Sequence, residues 1–243
     1  MNILGVIPSR YGSTRFPGKP LIDIDGKTMI QRVYEQAKKS TSLNRVVVAT
    51  DDERIFNEVK RFGGDVVMTA SSHESGTERC NEVLEKMSEN FDVVVNIQGD
   101  EPFINPKQID QLCVCFEDKN TDIATLVKEI KDNEELFNPN RPKVDIDENN
   151  FAKMFSRETI PAIESIAKEE WLSHQKYYKH IGIYGYRADV LQEICKLVPS
   201  PLEIKERLEQ LRWLENNYKI KVAQTSFEAI AIDSPEDLKK ITF

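Results

Sequence analysis

Three basic residues lie close together in a loop near the start of the chain: Arg10, Arg15 and Lys19. The loop, residues 7–21, is rich in glycine, proline and hydroxyl side chains and follows an apolar run of buried-strand length. Like charges this close repel one another unless an anion lies among them. The cations and the backbone N–H groups could bind the roughly four negative charges of a nucleoside triphosphate. The loop therefore predicts a phosphate site, with a solvated basic loop as the alternative.

The loop matches neither of the two commonest phosphate motifs. Five residues separate Gly12 from Gly18, whereas the Walker motif has four, and Pro20 replaces that motif's magnesium-binding Ser or Thr. The fingerprint G-x-G-x-x-G is also absent from the loop, which argues against an NAD-dependent oxidoreductase.

Two aspartates each follow an apolar run that predicts a strand. Asp100 comes after residues 91–97, and Asp233 comes after the predicted last strand, residues 227–232. Singly, they are typical of a turn before Pro102 and of a helix start. Combined with the phosphate loop, they predict a Mg²⁺ site, because magnesium commonly takes one or two carboxylates together with phosphate oxygens.

A second set of polar candidates lies in the later half of the chain. As a strand, residues 180–187 would place His180, Tyr184 and Tyr186 on one face, which suits a polyol. A half-exposed strand with a satisfied histidine is the alternative. Arg157 could clamp a carboxylate with its guanidinium group or be an ordinary surface arginine.

Two further motifs are ambiguous from spacing alone. Glu209 and Gln210 flank an apolar helical stripe, where such residues are usually solvated. Ser75 and Glu78 have the spacing of a capping box at a helix start, and this leaves Arg79 unexplained.

Alternating strands and helices must position these residues. Strands are predicted over residues 2–7, 45–50, 65–69 and 91–97, and the helices between them over residues 28–39, over 52–62 and from near Ser75. The consecutive valines and isoleucines predict a parallel sheet buried on both faces. Open α/β sheets bind ligands at the carboxyl ends of their strands, which is where the loop and Asp100 lie.

After about residue 106 the pattern changes to a mixed sheet, which predicts a second lobe. We predict helices over residues 106–116 and 202–217, and strands over residues 123–130, 151–156 and 180–187. Residues 133–150 are rich in Asp, Glu, Asn and Pro, which indicates a surface excursion. A final helix should begin at Ser234, because Pro235 suits the first helical position.

Composition limits the possible partners. With 243 residues and 40% hydrophobic content, the chain is long enough to form a sizeable core. A formal charge of −8 argues against nucleic acid as a partner, and no apolar run reaches the ~18 residues of a membrane span. The four cysteines lack paired C-x-x-C spacing, which favours reduced thiols and a cytoplasmic location.

Eight blocks of the sequence, in their order and spacing, resemble the family of 3-deoxy-manno-octulosonate cytidylyltransferases, or CMP-Kdo synthetases. The blocks are residues 7–21, 48–55, 75–79, 96–102, 155–157, 179–187, 208–212 and 232–238. The resemblance implies an α/β, Rossmann-like nucleotidyltransferase of the glycosyltransferase-A-like type. Its mixed, mainly parallel sheet would carry helices on both faces and a small dimerisation lobe. It implies one domain, residues 1–243, with a CTP-binding half of about 1–105 and a sugar-binding and dimerisation half of about 106–243.

The resemblance also implies a reaction and the residues that carry it. A homodimer with Mg²⁺ would join CTP and 3-deoxy-D-manno-octulosonate (Kdo) into CMP-Kdo and pyrophosphate, for lipopolysaccharide biosynthesis. The implied catalytic residues are Arg10, Lys19, Asp100 and Asp233, and the implied metal ligands are Asp100 and Asp233. The implied nucleotide-binding residues are Ser9, Arg10, Ser13, Thr14, Lys19, Ala70, Ser71, Arg79 and Asp100. The implied sugar-binding residues are Gln98, Arg157, His180, Tyr184, Glu209 and Gln210.

The chain departs from the family's usual pattern around the sugar-pocket arginine. It has Lys153-Met154 before Phe155 and Ala162 after Pro161, and residues 145–148 are acidic where the family is more apolar. These changes keep open a cytidylyltransferase for 8-amino-Kdo. A cytidylyltransferase for a sialic-type acid is the other enzyme alternative, and the blocks 179–187 and 208–212 favour Kdo over it. A catalytically silent nucleotide-binding protein is the alternative from another class, and the pair Asp100 and Asp233 argues against it.

Overall fold

The computed structural model describes residues 1–12, 16–228, 232 and 234–238. The chain forms two compact units. The first comprises Met1–Asp110, Gly185–Cys195 and the described residues from Glu228 onward, and the second comprises Gln111–Tyr184 and Lys196–Phe227. The first boundary lies close to the predicted division near residue 105, and two later segments return to the first unit.

The strands and helices are numbered along the chain. The strands are β1 Ile3–Ser9, β2 Asp23–Ile24, β3 Lys27–Thr28, β4 Arg45–Thr50, β5 Val66–Met68, β6 Val93–Asn96, β7 Ile123–Glu129, β8 Lys143–Ile146, β9 Ala152–Ser156, β10 Tyr178–Arg187 and β11 Ile220–Gln224. The α-helices are α1 Met29–Ala37, α2 Glu53–Arg61, α3 Gly76–Lys86, α4 Pro106–Val114, α5 Asn133–Leu136, α6 Trp171–His174, α7 Ala188–Ile194, α8 Pro201–Glu206, α9 Gln210–Glu215 and α10 Pro235–Leu238.

The first unit is built on a parallel sheet in the strand order β6–β1–β4–β5. The apolar runs of β1, β4 and β6 are buried along nearly their whole length, as expected for a sheet covered on both faces. Helices α1, α2 and α3 each begin with a side-chain cap, at Thr28, Asp52 and Ser75. The predicted alternation of strands and helices is confirmed.

The strand order of the first unit reverses at β1. The chain runs outward from β1 to β4 and β5 and then returns to β6 on the other side of β1. Such a reversal opens a crevice between the carboxyl ends of the two diverging strands, where α/β proteins bind ligands. The phosphate loop follows β1 and residues 98–100 follow β6, so both border this crevice.

The second unit contains a mixed sheet. Strand β11 pairs in parallel with β7, while β8 pairs antiparallel with both β9 and β10. Residues 178–184 of β10 belong to this unit and neighbour β7. The mixed character predicted for the later half of the chain is therefore confirmed.

The predicted helix over residues 202–217 is wrong, because the structure has the two short helices α8 and α9 there. The chain breaks at Arg207, which has φ +55° and lies in the left-handed region. The carbonyl oxygens of Glu206 and Arg207 accept hydrogen bonds from the Arg157 guanidinium group at 2.6 and 3.5 Å. A side chain distant in sequence thus satisfies the carbonyls that the break exposes.

Two other predictions differ from the structure. Residues 133–150 are not only a surface excursion, because they contain α5 and β8, and Lys143 and Val144 of β8 are buried. Strand β11 was not predicted. The predicted strand over residues 227–232 lies half outside the described residues, and its described members are not in a strand.

All four cysteines are free thiols. Among the described helices, none is both long and apolar enough to span a membrane.

Candidate functional site: a cavity in the first unit

A cavity of about 290 Å³ opens in the crevice between β1 and β6. The end of β1, the start of α3 and the loop after β6 all contribute to its wall. The wall includes six of the residues predicted from sequence: Ser9, Arg10, Lys19, Arg79, Gln98 and Asp100. The structure therefore brings together the cations, the carboxylate and the amide that the sequence placed in separate motifs.

The described parts of the phosphate loop are joined at Tyr11 and Gly18. The Gly18 N–H donates to the Tyr11 carbonyl oxygen at 3.0 Å, and Gly18 has φ +73°, which suits a residue without Cβ. The Tyr11 ring is covered by the Arg54 guanidinium group, 3.3 Å from the ring centroid. Arg54 is itself paired with Asp52 at 2.6 Å. Helix α2 thus supports the loop from outside the cavity.

Lys19 and Asp100 form an ion pair inside the cavity. The Lys19 Nζ lies 2.8 Å from Asp100 Oδ2, and the two side chains are 15% and 29% exposed. The neighbouring Glu101 carboxyl is buried, and its burial, with the negative charge of Asp100, raises its pKa to about 7. The cavity therefore combines a cation with a partly exposed carboxylate, groups that suit a metal-bound triphosphate.

Gly99 brings the two loops into contact. A Cβ atom at this position would lie 2.7 Å from the Pro8 carbonyl oxygen, closer than real Cβ atoms approach such an atom. Only glycine lets the backbone after β6 pass this close to the end of β1. The close approach fixes the distance between the cationic loop and Asp100.

Ser9 carries a polar atom that protein atoms do not satisfy. The residue is 4% exposed and lines the cavity, and its Oγ has no hydrogen-bond partner in the described part of the chain. A buried hydroxyl without a partner is costly. A ligand in the cavity is the partner that would satisfy it.

Arg79 is held in place by Asp51, a residue to which the sequence analysis gave no role. The Arg79 side chain is 4% exposed and donates to Asp51 Oδ2 at 3.0 Å and to the Thr69 hydroxyl. Asp51 directly follows β4, so it lies at the same sheet edge as the phosphate loop. The signal that could have found it is its position at the carboxyl end of a buried strand.

The loop before α3, residues 69–75, is anchored by Glu82 from the second turn of that helix. Glu82 Oε2 accepts from the Ala70 N–H at 2.8 Å and from His73 Nε2 at 2.5 Å, and Lys86 pairs with Oε1. Burial opposes ionisation of Glu82, but these partners outweigh it and lower its pKa to about 2. A fixed carboxylate thus positions His73, another residue of the cavity wall.

The other residues predicted for the nucleotide site either do not line the cavity or lie outside the described part of the chain. Ala70 and Ser71 are exposed residues of this anchored loop and do not line the cavity. Ser13, Thr14, Arg15 and Asp233 lie outside the described residues. Ile232, which precedes Asp233 in the sequence, is described and donates its N–H to the Asp100 carbonyl oxygen at 3.0 Å.

Asp100 has the chemistry of one magnesium ligand. Carboxylate oxygen is the ligand that Mg²⁺ prefers, and a site with one or two carboxylates is completed by phosphate oxygens and water. Asp100 offers such an oxygen in the cavity wall. Among the described residues, no group of three or more His, Cys, Asp or Glu side chains forms a metal site by itself.

The second unit contains its own set of predicted residues. His180 Nε2 lies 2.9 Å from the Thr125 hydroxyl, and the His180 ring packs against the Tyr184 ring with a centroid distance of 5.2 Å. Burial lowers the pKa of His180 to about 4, and burial together with the nearby Glu209 raises the pKa of Tyr184. Gln210 is 4% exposed, and its Nε2 has no partner among the described residues. His180, Tyr184 and Gln210 therefore present neutral, hydrogen-bonding groups in this unit.

Glu209 and Arg157 are both engaged within the second unit. Glu209 Oε1 accepts from Arg212 at 2.7 Å. The Arg157 guanidinium group donates to three backbone carbonyl oxygens, of Pro139, Glu206 and Arg207. A sugar carboxylate at Arg157 would have to compete with these carbonyls, so its role as a clamp stays a prediction.

The sequence is similar to those of known cytidylyltransferases. Residues 4–220 match the family model described as cytidylyltransferase. A 3-deoxy-manno-octulosonate cytidylyltransferase of Parabacteroides distasonis is 58% identical over 99% of this chain and 96% of its own length. The corresponding protein of Bacteroides thetaiotaomicron is 56% identical over 98% and 96%.

Solved structures give the same picture. The chain is similar to a CMP:2-keto-3-deoxy-manno-octonic acid synthetase in complex with CTP, with a TM-score of 0.92 and 40% identity over 99% of this chain and 96% of that one. A cytidylyltransferase of Leptospira borgpetersenii shares the fold, with a TM-score of 0.63 at 18% identity over 98% of this chain and 83% of that one.

The parallel sheet with its switch-point cavity, cationic loop and carboxylate defines a nucleotidyltransferase of the α/β class. The curated relatives, which are up to 58% identical over nearly the whole chain, indicate the family within this class. The chain belongs to the cytidylyltransferase family and, within it, to the 3-deoxy-manno-octulosonate cytidylyltransferases.

Proposed function

We propose that this protein is an enzyme that transfers the cytidylyl group of CTP to Kdo, forming CMP-Kdo and pyrophosphate. The observation that carries the proposal is the cavity in which Lys19 and Asp100 meet at 2.8 Å, beside Ser9, Arg10 and Arg79. It joins phosphate-binding cations to a carboxylate at a topological switch point. Relatives up to 58% identical over nearly the whole chain bear the name of this reaction.

The reaction is an in-line displacement at the α-phosphorus of CTP. The anomeric 2-hydroxyl of Kdo forms the new O–P bond, the bond from the α-phosphorus to the bridging oxygen breaks, and pyrophosphate leaves with the electron pair. Positioning and charge neutralisation dominate such transfers. Lys19 and Arg10 would stabilise the charge that moves onto pyrophosphate, and the proton of the attacking hydroxyl would go to solvent.

We assign the metal site to Asp100 and Asp233. The hydrogen bond from Ile232 to the Asp100 carbonyl supports this pairing, because Ile232 is the chain neighbour of Asp233. A bound Mg²⁺ would supply charge neutralisation at the triphosphate and a lower pKa for the incoming hydroxyl. Lys19 lies 2.8 Å from Asp100, and phosphate oxygens would become partners of Lys19 when nucleotide binds.

We assign the remaining nucleotide and sugar contacts as the resemblance implies. Ser13, Thr14, Ala70 and Ser71 would complete the CTP site, together with Arg79. The residues that would contact Kdo are Gln98, His180, Tyr184, Glu209, Gln210 and Arg157. Neutral hydrogen-bonding groups suit the hydroxyls of a polyol.

We also propose that the protein is a cytoplasmic homodimer whose second unit includes the dimerisation lobe. The free thiols and the biosynthetic relatives support the location. Light scattering on the purified protein tests the assembly, and a monomer at working concentrations would contradict it.

One assay tests the function. Purified protein is incubated with Mg²⁺, Kdo and, in turn, CTP, UTP, ATP or GTP, and pyrophosphate release is followed. We expect pyrophosphate release with CTP and none with UTP, ATP or GTP. Repeating the assay with 8-amino-Kdo and N-acetylneuraminate tests the alternative sugar acids, and the sugar with the highest kcat/KM identifies the substrate. CTP binding without pyrophosphate release from any sugar acid would instead indicate the silent nucleotide-binding protein.

A further inference from the structure

His180 is a neutral side chain enclosed by aromatic rings. Its imidazole packs edge-on against Phe155, with centroids 5.3 Å apart and planes at 82°, and against Tyr184. Burial disfavours the imidazolium form. In a neutral imidazole one ring nitrogen carries the proton and donates, while the other accepts. The chemistry of His180 therefore depends on which nitrogen holds the proton.

Thr125 on β7 has three close partners for a single hydroxyl proton. Its Oγ1 lies 2.8 Å from the Ile183 carbonyl oxygen, 3.3 Å from the Ile181 carbonyl oxygen and 2.9 Å from His180 Nε2. Carbonyl oxygens only accept, and two oxygens at 2.8 Å need a proton between them. The Thr125 hydroxyl must therefore donate to the Ile183 carbonyl.

This geometry decides the direction of the bond to His180. Since the hydroxyl proton points at a carbonyl, the Thr125 oxygen presents a lone pair to Nε2, and Nε2 must carry the proton and donate. The opposite arrangement would set lone pairs of two oxygens against each other at 2.8 Å in a fully buried position. The contact with Thr125 thus occupies Nε2 and leaves Nδ1 as the acceptor of the ring.

We propose that Thr125 is a positioning residue that holds His180 in its Nε2–H tautomer, so that Nδ1 accepts a hydrogen bond from a hydroxyl of the substrate. The inference rests on the proposed function, because it assigns to His180 a part in sugar recognition. A neutral acceptor selects a donor such as a hydroxyl and does not attract a carboxylate. His180 would thus recognise the polyol part of the sugar acid, and other groups would recognise its charge.

The tautomer can be measured directly by ¹⁵N NMR of the full chain with labelled histidine. The chain has three histidines, and the signals lost in His180→Asn assign the ring of interest. We expect a protonated Nε2 and an unprotonated Nδ1 in the unmodified protein. A protonated Nδ1 would overturn the inference, whatever the substrate is.

Two substitutions test the role of the hydroxyl. Thr125→Val keeps the shape and removes the hydroxyl, whereas Thr125→Ser keeps the hydroxyl and serves as the matched control. For Thr125→Val we expect a mixture of His180 tautomers, a KM for Kdo raised about tenfold and a KM for CTP within about twofold of the original. Thr125→Ser should retain the tautomer and most of the affinity for Kdo.

The outcomes separate this inference from the proposed function. An equal rise of the KM for Kdo in both variants would indicate lost packing and overturn the role of the hydroxyl. An unchanged tautomer and KM in Thr125→Val would overturn it as well. If the unmodified protein releases no pyrophosphate with any sugar acid, the proposed function fails, while the NMR spectrum still decides the tautomer.

Discussion

Asp51 is expected to stabilise the fold through the buried guanidinium group of Arg79. Asp51→Asn keeps the size and one acceptor oxygen but removes the charge that faces Arg79 Nη2 at 3.0 Å. Arg79 would then lie 4% exposed with only neutral acceptors around it, a buried and uncompensated charge.

The magnitude follows from the burial of the two partners. Breaking a fully buried ion pair costs about 3–5 kcal/mol, whereas an exposed pair contributes about 0.2–1 kcal/mol. The Asp51 side chain is 18% exposed. Since Asn also retains one acceptor, we expect a loss of about 2 kcal/mol. In a chain of this size that corresponds to a melting temperature about 4–8 °C lower.

Asp52→Asn provides a matched control at the next position. Asp52 pairs with Arg54, which is 58% exposed, and caps α2, a task that Asn performs equally well. Differential scanning calorimetry of both variants measures the difference, and we expect a shift of at most about 2 °C for the control. Equal shifts in the two variants would refute the reasoning from burial.

Three further results are expected. Asp100→Asn should abolish pyrophosphate release while its circular dichroism spectrum stays unchanged, and near-normal activity at saturating magnesium would contradict the metal role. Ser9→Ala should raise the Kd for CTP about fivefold without lowering the melting temperature, because the lost hydroxyl has no described protein partner. Isothermal titration calorimetry measures the Kd. An unchanged Kd would contradict the expected contact between Ser9 and CTP. The pKa of Glu82 is lowered to about 2 in the folded chain, whereas its pKa in the unfolded chain is about 4.3. The ionised carboxylate therefore stabilises the fold fully above about pH 4.3, and this stabilisation is lost as the pH falls through about 2. The melting temperatures of the unmodified protein and Glu82→Gln should therefore differ most above about pH 5 and converge near pH 2, and a gap that is constant with pH would argue against this.

The nearness of Lys19 and Asp100 could be predicted because the segments that carry them follow buried strands. Strand β4 was predicted over its full length from consecutive apolar residues, and Lys19 and Asp100 came together because parallel strands end at one edge of a sheet. Composition and order were sufficient for this part of the fold. No knowledge of side-chain packing was needed.

The partners of the site residues could not be predicted, because tertiary contacts choose them. Asp51 pairs with Arg79 across 28 residues, and Thr125 contacts His180 across 55. The break at Arg207 has the same origin: residues 202–217 contain neither Gly nor Pro, and carbonyl contacts from Arg157 accompany a left-handed turn that local propensity disfavours.

The distance between the cationic loop and Asp100 depends on the absence of a Cβ atom at Gly99. A Cβ at position 99 would meet the Pro8 carbonyl oxygen at 2.7 Å, so any other residue there would act as a wedge between the two strand ends. Such a wedge removes no charged group, yet it would shift the end of β1 and the residues that follow it relative to Asp100. Transfer rates fall steeply when reacting groups are displaced by about 1 Å. A substitution can therefore change one binding group at a time. The spacing between these groups can change only if the backbones at Pro8 and at position 99 both move.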